Sequence, residues 1–239
     1  MNRFSTSIKH TPGITMDLPV VVLSSTINRK MANCGPKFQH QIGDDILFNH
    51  QLKTIKNKFP TADVTLCVGN GAVSASKMKS EWEIDDVKII ENQGWKETSE
   101  IEALRLALNI LPNLSNILIV MGDLYFQKDS LGFLEFGKSS INYQVEDNQD
   151  IGLNFDIGKD NRLNGLGFDL KAKWSGLCYM TGKELEILKK FCSPKNCRME
   201  VWEFFKYAIK NFGNIKCCPD NGKCVRINTR DKMREICAG

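Results

Sequence analysis

The chain has 239 residues, of which 42% are hydrophobic and 25% charged, and its formal net charge is +4. This composition is typical of one soluble globular domain with enough apolar residues for a core. No apolar run is long enough to cross a bilayer, the small net charge does not predict a nucleic-acid partner, and nine cysteines without a secretion signal predict a reducing, cytoplasmic location.

The first part of the sequence predicts strands that alternate with helices. Residues 1–17 are polar and aperiodic, and they predict an N-terminal tail. Short apolar runs predict buried strands at 20–25, 63–69 and 87–91. Between the first two of these strands, apolar residues from 48 to 59 share one helical face and predict a helix.

The rest of the chain continues the same alternation and then changes character. Leucine and isoleucine spacing predicts a helix that begins at 98–100, and the run 116–123 is the most strand-like in the sequence. Beyond residue 140, short glycine-rich strands precede two helices. Strands alternating with helices indicate a parallel sheet with right-handed crossovers, so residues 18–239 predict one continuous α/β domain.

Charged residues follow two of the predicted strands, at the edge where such sheets bind ligands. Lys30 and Lys37 lie in the loop after the first strand, and Asp123 directly follows the run NILIVMG. Lysines facing a carboxylate suit a nucleoside triphosphate and Mg²⁺, because ammonium groups neutralise phosphate oxygens and Mg²⁺ prefers oxygen ligands. The alternative is that Asp123 simply ends a strand and both lysines are solvated.

The loop also carries a motif of a known family. Nucleotidyltransferases that activate sugar 1-phosphates and phosphocholine have the signature L-x-x-G-x-G-x-R-[ML], four further residues, and then P-K. The segment LSSTINRKMANCGPK resembles it: Leu23, Met31, Pro36 and Lys37 match, and Lys30 stands in place of the arginine.

Four later segments resemble the same family in the same order. TSEIEALRLA is similar to a helix start that fits the cytidylyltransferase branch best, and MGDLYF is similar to the G-D-x-x-F motif whose aspartate binds the metal. WSGLCYMTG resembles the strand that lines the acceptor pocket, and VRINTRDKM resembles the segment that supplies a second metal ligand. The resemblance runs from about residue 19 to residue 236.

The resemblance implies a three-layer α/β/α, Rossmann-like fold with a mixed, mostly parallel sheet. Its nucleotide-binding part would span about 18–138 and its acceptor-binding part about 139–239. It implies a Mg²⁺-dependent transfer of a nucleoside monophosphate from an NTP to a small phosphomonoester, and CTP is favoured. A membrane partner is not expected, and homo-oligomerisation is left open.

The resemblance also assigns roles to individual residues. Lys30, Lys37 and Asp123 are implied to be catalytic, and Asp123 and Asn228 to bind the metal. The residues implied to contact the nucleotide are Leu23, Ser24, Ser25, Thr26, Asn28, Glu91, Asn92, Thr98 and Ser99. The residues implied to contact the acceptor are Trp95, Trp174, Gly176 and Tyr179.

The sequence departs from the family signature at two loop glycines, which are Thr26 and Asn28 here. Glycine would let the loop adopt positive φ and bring its amides close to phosphate. A β-branched residue adopts positive φ only with strain, so two outcomes are open at Thr26. Either the loop follows a different path, or hydroxyl groups of residues 24–26 donate in place of amides.

Several alternatives remain open from the sequence. The lost glycines favour a catalytically degenerate, ligand-binding or regulatory member of the same fold. A glycosyltransferase would share the architecture, but no D-x-D motif follows the central strand. The acceptor could be phosphocholine-like or a sugar 1-phosphate. The five cysteines that could form a zinc site lack the usual C-x2-C spacing, which favours free thiols; they are Cys192, Cys197, Cys217, Cys218 and Cys224.

Overall fold

A computed structural model describes residues 18–27, 29–81, 84, 86–111, 113–145, 154–168, 170–220 and 224–238. The predicted tail 1–17 and Asn28 lie outside the described residues. The described helices are α1 (Leu47–Lys58), α2 (Ala72–Glu81), α3 (Glu100–Ile110), α4 (Gly182–Phe191), α5 (Val201–Lys210) and α6 (Arg230–Ala238). The described strands are β1 (Pro19–Ser24), β2 (Gln41–Ile42), β3 (Asp45–Ile46), β4 (Asp63–Val68), β5 (Lys88–Glu91), β6 (Asn116–Met121), β7 (Leu124–Phe126), β8 (Ser140–Val145), β9 (Asn154–Ile157), β10 (Leu163–Gly167), β11 (Ala172–Thr181), β12 (Lys216–Pro219) and β13 (Cys224–Arg226).

The main sheet has a parallel centre and antiparallel additions. Its principal strand order is β10-β9-β11-β6-β1-β4-β5. β1 pairs in parallel with both β4 and β6, and β5 extends the parallel part beyond β4. β11 joins antiparallel to β6 and also pairs with β8, whose other neighbour is β12. The predicted mixed sheet is confirmed, and it continues without a break from the first part of the chain into the second.

The central strands are buried on both faces, as their sequences predict. Every residue of NILIVM in β6 is buried, as are Val20, Val21 and Val22 in β1. Such continuous apolar runs form where helices cover both faces of a sheet, because neither face meets water. Here α3 packs on β1 and β4, and α4 packs on β11 and β6 of the same face, since the segment after α4 is hydrogen-bonded to the start of α3. α1 covers the other face, because its crossover from β1 to β4 runs in the opposite direction along the sheet from the crossover of α3. No helix among the described residues has the length and apolar content that crossing a membrane requires.

Two helices were not predicted, and both bury few residues. In α2 only Ala75 and Met78 are buried. No residue of α6 is fully buried, although Met233 and Ile236 pack against a small cluster that contains Met31 and Ile227. So few apolar positions give only a weak signal of a helix in the sequence.

Candidate active site

The ends of β1 and β6 open onto a cavity of about 350 Å³. Asp123 lies at the end of β6 and faces residues from the β1 loop, from the start of α3 and from β13. The lining residues are Thr26, Ile27, Lys37, Ser99, Glu100, Asp123, Glu200, Arg226 and Asn228. The structure therefore brings together five residues that the sequence predicts as site residues, and it adds Ile27, Glu100, Glu200 and Arg226 to them.

Close backbone packing places Asp123 at this edge. The Gly122 N–H donates a 2.8 Å hydrogen bond to the Leu23 carbonyl oxygen, which ties the end of β6 to the end of β1. A Cβ atom at Gly122 would lie 2.6 Å from that oxygen and 2.7 Å from the Ser24 Cα atom. Gly122 is therefore needed for space.

We expect Gly122→Ala to destabilise the protein by about 1–3 kcal/mol, the usual cost of overpacking a rigid site. The backbone would have to move apart, because the atoms in the way are mainly backbone atoms. Urea denaturation of both forms measures the change. Gly132→Ala is the control, since a Cβ atom there meets nothing within 4 Å. Equal stability of the two variants would contradict this account.

The predicted P-K segment turns Lys37 into the cavity. Pro36 is extended and precedes a 3-10 helix at Lys37–Gln39, and the Phe38 N–H donates to the Ser24 hydroxyl oxygen at 3.0 Å. The Lys37 ammonium donates to the Thr26 hydroxyl oxygen at 2.8 Å and lies 3.6 Å from Glu100 Oε1. Lys37 is only 5% exposed, so Thr26 and Glu100 rather than bulk water hold its ammonium group in position.

Glu100 is the acceptor at the centre of this network. Thr26 donates to Oε1 at 2.7 Å, and Ser99 donates to Oε2 at 2.7 Å. Burial alone would raise the pKa of the Glu100 carboxyl, but the Lys37 charge and the two hydroxyl donors outweigh it and hold the pKa below its ordinary value. Glu100 is therefore ionised and fixes the position of Lys37.

The network shows how the loop manages without its first signature glycine. The described residues other than glycine with positive φ are Asn113, Asn161 and Phe212, so Thr26 does not take the conformation that glycine would favour. The loop follows a different path, and the Thr26 hydroxyl links Lys37 to Glu100. The first of the two outcomes left open by the sequence therefore occurs at Thr26, and donation from its hydroxyl to a phosphate stays a prediction.

We expect Thr26→Val to destabilise the protein by about 1–3 kcal/mol, the cost of leaving buried polar groups without a partner. The change removes the hydroxyl that accepts from Lys37 and donates to Glu100. Thr26→Ser keeps that hydroxyl and should be nearly as stable as the unchanged chain. Urea denaturation of both variants measures the difference. If the valine variant were as stable as the serine variant, the hydroxyl would make no net contribution.

Asp123 is buried and forms an ion pair with the partly exposed Arg226. Arg226 Nη2 donates to Asp123 Oδ2 at 2.9 Å, and Arg226 Nε lies 2.7 Å from Oδ1. The Nε–H group does not point along that line, so Oδ1 makes no directed hydrogen bond. Burial would raise the pKa of the Asp123 carboxyl, but the charges of Arg226 and Lys37 outweigh it and keep the pKa below its ordinary value. The carboxylate is ionised.

A short ribbon brings Arg226 to this position. β13 pairs antiparallel with β7, with Arg226 opposite Leu124, and the Ile227 N–H donates to the Asp123 carbonyl oxygen at 2.7 Å. Asn228 follows directly and lines the cavity. Sequence reasoning singled out Asn228 but missed Arg226, although a charged residue inside the apolar run CVRI was an available signal.

Asp123 and Asn228 have the oxygen donors that suit Mg²⁺. Asp123 Oδ1 is buried and lacks a directed hydrogen bond, so one carboxylate oxygen keeps its capacity to bind an ion. No group of three or more His, Cys, Asp or Glu side chains that could hold a metal occurs in the described part of the chain. An ion here would therefore need substrate phosphate oxygens or water to complete its shell.

The remaining loop residues lie at different depths. Ser24 accepts from Phe38, and the buried Ser25 hydroxyl makes no hydrogen bond. Leu23 is a buried strand residue whose side chain belongs to the core. Lys30 lies in the 3-10 helix Arg29–Cys34, where its side chain is exposed and outside the cavity lining.

The predicted rim of the nucleotide site forms a turn after β5. Glu91 ends that strand with an exposed side chain. The buried Asn92 amide donates to the Thr98 hydroxyl oxygen at 2.9 Å, and Thr98 donates to the Gly94 carbonyl oxygen at 2.9 Å. These contacts fix the turn that leads into α3 and so place Ser99 at the cavity.

The predicted acceptor residues are not brought together. Trp95 packs beside Gly69 at the end of β4, whereas Trp174 lies on β11, on the other side of β6. The Trp174 ring lies edge-on against Phe205 at 5.1 Å, and its Nε1–H donates to the Leu177 carbonyl oxygen at 2.9 Å. The two rings therefore cannot form one aromatic pocket.

Tyr179 and Gly176 also differ from each other in position. Tyr179 is fully buried, pairs with Leu118 in the middle of β6 and packs against Phe136, so it lies in the core and away from the cavity. Gly176 does approach the site: it has a φ of 112°, and a Cβ atom there would lie 3.3 Å from Arg226 Cδ. Gly176 leaves room for the stem of the arginine side chain.

Comparison with solved structures relates this architecture to known enzymes. The CTP:phosphocholine cytidylyltransferase LicC of Streptococcus pneumoniae superposes with a TM-score of 0.74 at 15% identity, covering 93% of this chain and 99% of LicC. The inositol-1-phosphate CTP transferase of T. maritima gives 0.73 at 13% identity, covering 94% and 98%. A nucleoside-diphosphate-sugar pyrophosphorylase of Vibrio cholerae gives 0.70 at 14% identity, covering 92% and 100%.

This chain has a nucleotidyltransferase fold. The similarity spans nearly the whole of each protein compared, which confirms the fold that the sequence motifs imply. Neither a family model nor a curated protein sequence matches the chain significantly. The resemblance is therefore one of backbone architecture.

Proposed function

We propose that the protein transfers a nucleoside monophosphate from an NTP to a small phosphomonoester. The observation that carries the proposal is that Lys37, from the loop after β1, and Asp123, directly after β6, line one cavity in a chain with the nucleotidyltransferase fold. Phosphoryl and nucleotidyl transfer depend mainly on alignment and charge neutralisation. Lys37 offers positive charge directly, and Asp123 offers a carboxylate ligand for a cation.

In the proposed reaction, a phosphate oxygen of the acceptor attacks the α-phosphorus of the NTP. A new bond forms between that oxygen and the phosphorus, the bond to the bridging oxygen breaks, and pyrophosphate leaves with the electron pair. Lys37 would contact the α-phosphate and the incoming phosphate, and Lys30 the β- and γ-phosphates. No covalent bond to the protein is needed.

Glu100 and Thr26 would prepare Lys37 for this role. Thr26 and Glu100 hold the Lys37 ammonium group in place before substrate arrives, so Lys37 loses little side-chain entropy when substrate binds. Their contacts also mean that part of the lysine charge is already balanced. Phosphate oxygens would therefore have to share the ammonium donors with Thr26.

Asp123 and Asn228 would hold a Mg²⁺ ion that arrives with the substrate phosphates. When bound, the ion supplies positive charge to the phosphate oxygens as negative charge develops on them. Asp123 Oδ1 supports this assignment, since that carboxylate oxygen accepts no hydrogen bond from the described residues.

We propose CTP as the nucleotide and a phosphocholine-like acceptor ahead of a sugar 1-phosphate. A quaternary ammonium group cannot donate hydrogen bonds and is recognised by carboxylates and aromatic faces. Glu200 supports this choice, because its carboxylate lines the cavity and accepts from Trp202 Nε1 at 2.8 Å. Trp174 remains the aromatic candidate on the β11 side.

The test is the purified protein with four NTPs, Mg²⁺ and a panel of phosphomonoesters, scored by pyrophosphate release. CTP with phosphocholine should give the highest kcat/KM, and Trp174→Ala should raise the KM for phosphocholine. UTP or dTTP with glucose 1-phosphate is the comparison. If activity were confined to the sugar 1-phosphate pairs and unchanged by Trp174→Ala, recognition of the acceptor by the Trp174 ring would be rejected.

A non-catalytic, ligand-binding role is the second candidate. It is favoured by the two ion pairs in the cavity, because Lys37 is engaged by Glu100 and Asp123 by Arg226. Calorimetric binding of an NTP without pyrophosphate release from any acceptor in the panel would support this role. Release of pyrophosphate would reject it.

A further inference from the structure

Arg226 pairs with Asp123, the carboxylate to which the proposed function assigns the cation. Its guanidinium contacts both oxygens of Asp123, at 2.7 and 2.9 Å. Glu100 and Glu200 line the same cavity. Burial would lower the pKa of the Arg226 guanidinium, but the charge of Asp123, reinforced by Glu100 and Glu200, raises it. A cation that enters the cavity would therefore find Asp123 already paired with Arg226 and Glu100 already paired with Lys37.

The backbone around Arg226 fixes this arrangement. β13 is paired with β7, and Gly176 leaves the space that the side chain fills. Only 29% of the Arg226 side chain is exposed, so the guanidinium is only partly solvated. It forms part of the cavity wall.

The contact with Asp123 nevertheless leaves one carboxylate oxygen incompletely used. Nη2–H is directed at Oδ2, whereas Nε–H is not directed at Oδ1. A Mg²⁺ ion binds a carboxylate oxygen at about 2.0–2.1 Å, which would place it next to the guanidinium. Two positive charges this close repel each other in a site of low dielectric.

We propose that Arg226 and a divalent cation compete for Asp123. Arg226 is the counter-ion of the carboxylate before an ion binds, and the guanidinium must withdraw when the ion arrives. The withdrawn guanidinium is then available to a phosphate oxygen. The inference rests on the proposed function for the presence of an ion at Asp123, but its test needs no nucleotide.

The experiment titrates the full chain with Mn²⁺, a paramagnetic substitute for Mg²⁺, in the absence of nucleotide, and follows free Mn²⁺ by electron paramagnetic resonance. Arg226→Met should bind Mn²⁺ about tenfold or more tightly than the unchanged chain, because a charge-assisted contact no longer competes. Arg162→Met is the matched control, since Arg162 pairs with the exposed Asp160 at 3.0 Å. It should leave Mn²⁺ affinity unchanged.

Two further variants keep the proposal testable if Arg226→Met folds poorly. Arg226→Lys keeps the charge and should bind Mn²⁺ weakly, like the unchanged chain. The double variant Asp123→Asn with Arg226→Met lacks the carboxylate that would bind Mn²⁺. It should therefore not show the gain in Mn²⁺ affinity. A gain as large in Arg226→Lys as in Arg226→Met, or one that survives Asp123→Asn, would overturn the proposal.

The inference and the proposed function can fail separately. Tighter Mn²⁺ binding by Arg226→Met, with no pyrophosphate release by the unchanged chain, would support the competition and reject the activity. Pyrophosphate release by the unchanged chain, with equal Mn²⁺ affinity in Arg226→Met and Arg162→Met, would support the activity and reject the competition.

Discussion

Asp123→Ala is expected to lower pyrophosphate release by about three orders of magnitude or more. The proposed Mg²⁺ ion would lose its carboxylate ligand, and several kcal/mol of charge stabilisation in the transition state would be lost with it. Asn228→Ala should reduce the rate less, because a neutral amide oxygen is a weaker ligand than a carboxylate. Steady-state kinetics at saturating Mg²⁺ measures both variants.

The same substitution should also affect stability. Removing the carboxylate leaves the Arg226 guanidinium without its partner, and we expect a loss of about 1–3 kcal/mol, since 29% of that side chain still meets water. Asp123→Asn keeps the shape of the side chain and separates the loss of charge from the loss of packing. Near-normal turnover by a folded Asp123→Ala protein would show that the site is elsewhere.

Lys37→Ala is expected to lower kcat by about two to three orders of magnitude. This is the usual effect of removing one donor that contacts charge in the transition state. KM should change less, because Lys30 and the ion would still hold the β- and γ-phosphates. Circular dichroism and a thermal melt must show that the variant is folded, since Glu100 loses its buried cation.

Lys53→Ala is the matched control for that experiment. Lys53 is also paired with a carboxylate, Asp45 at 2.7 Å, but 64% of its side chain is exposed and it lies on α1. It should keep full activity. If Lys37→Ala were as active as Lys53→Ala, the ammonium group would have no part in the chemistry.

The sequence predicted the parallel centre of the fold because its strands are continuous apolar runs. Such runs, as in β6, form only where both faces are covered, so burial can be read directly from residue type. The same reasoning placed Asp123 at the carboxyl edge of the sheet. It failed for α2 and α6, because α2 buries only two residues and α6 buries none.

The partners of the site residues could not be predicted in the same way. Lys37 and Glu100 are far apart in the sequence, and so are Asp123 and Arg226, so neither ion pair has a local pattern. The resemblance pointed to Asn228 but carried no information about its neighbour two residues earlier. The position of Tyr179 depended on which face of β11 it occupies, which the alternation alone left open.

Arg226 reaches Asp123 across a sequence separation of 103 residues, which has a consequence for how the protein folds. β13 pairs with β7 outside the main sheet, so every strand of that sheet can be in place before β13 docks. Until it docks, Asp123 lies at the end of a formed strand without its counter-ion. The proposed activity should therefore appear during refolding no earlier than native-like circular dichroism does.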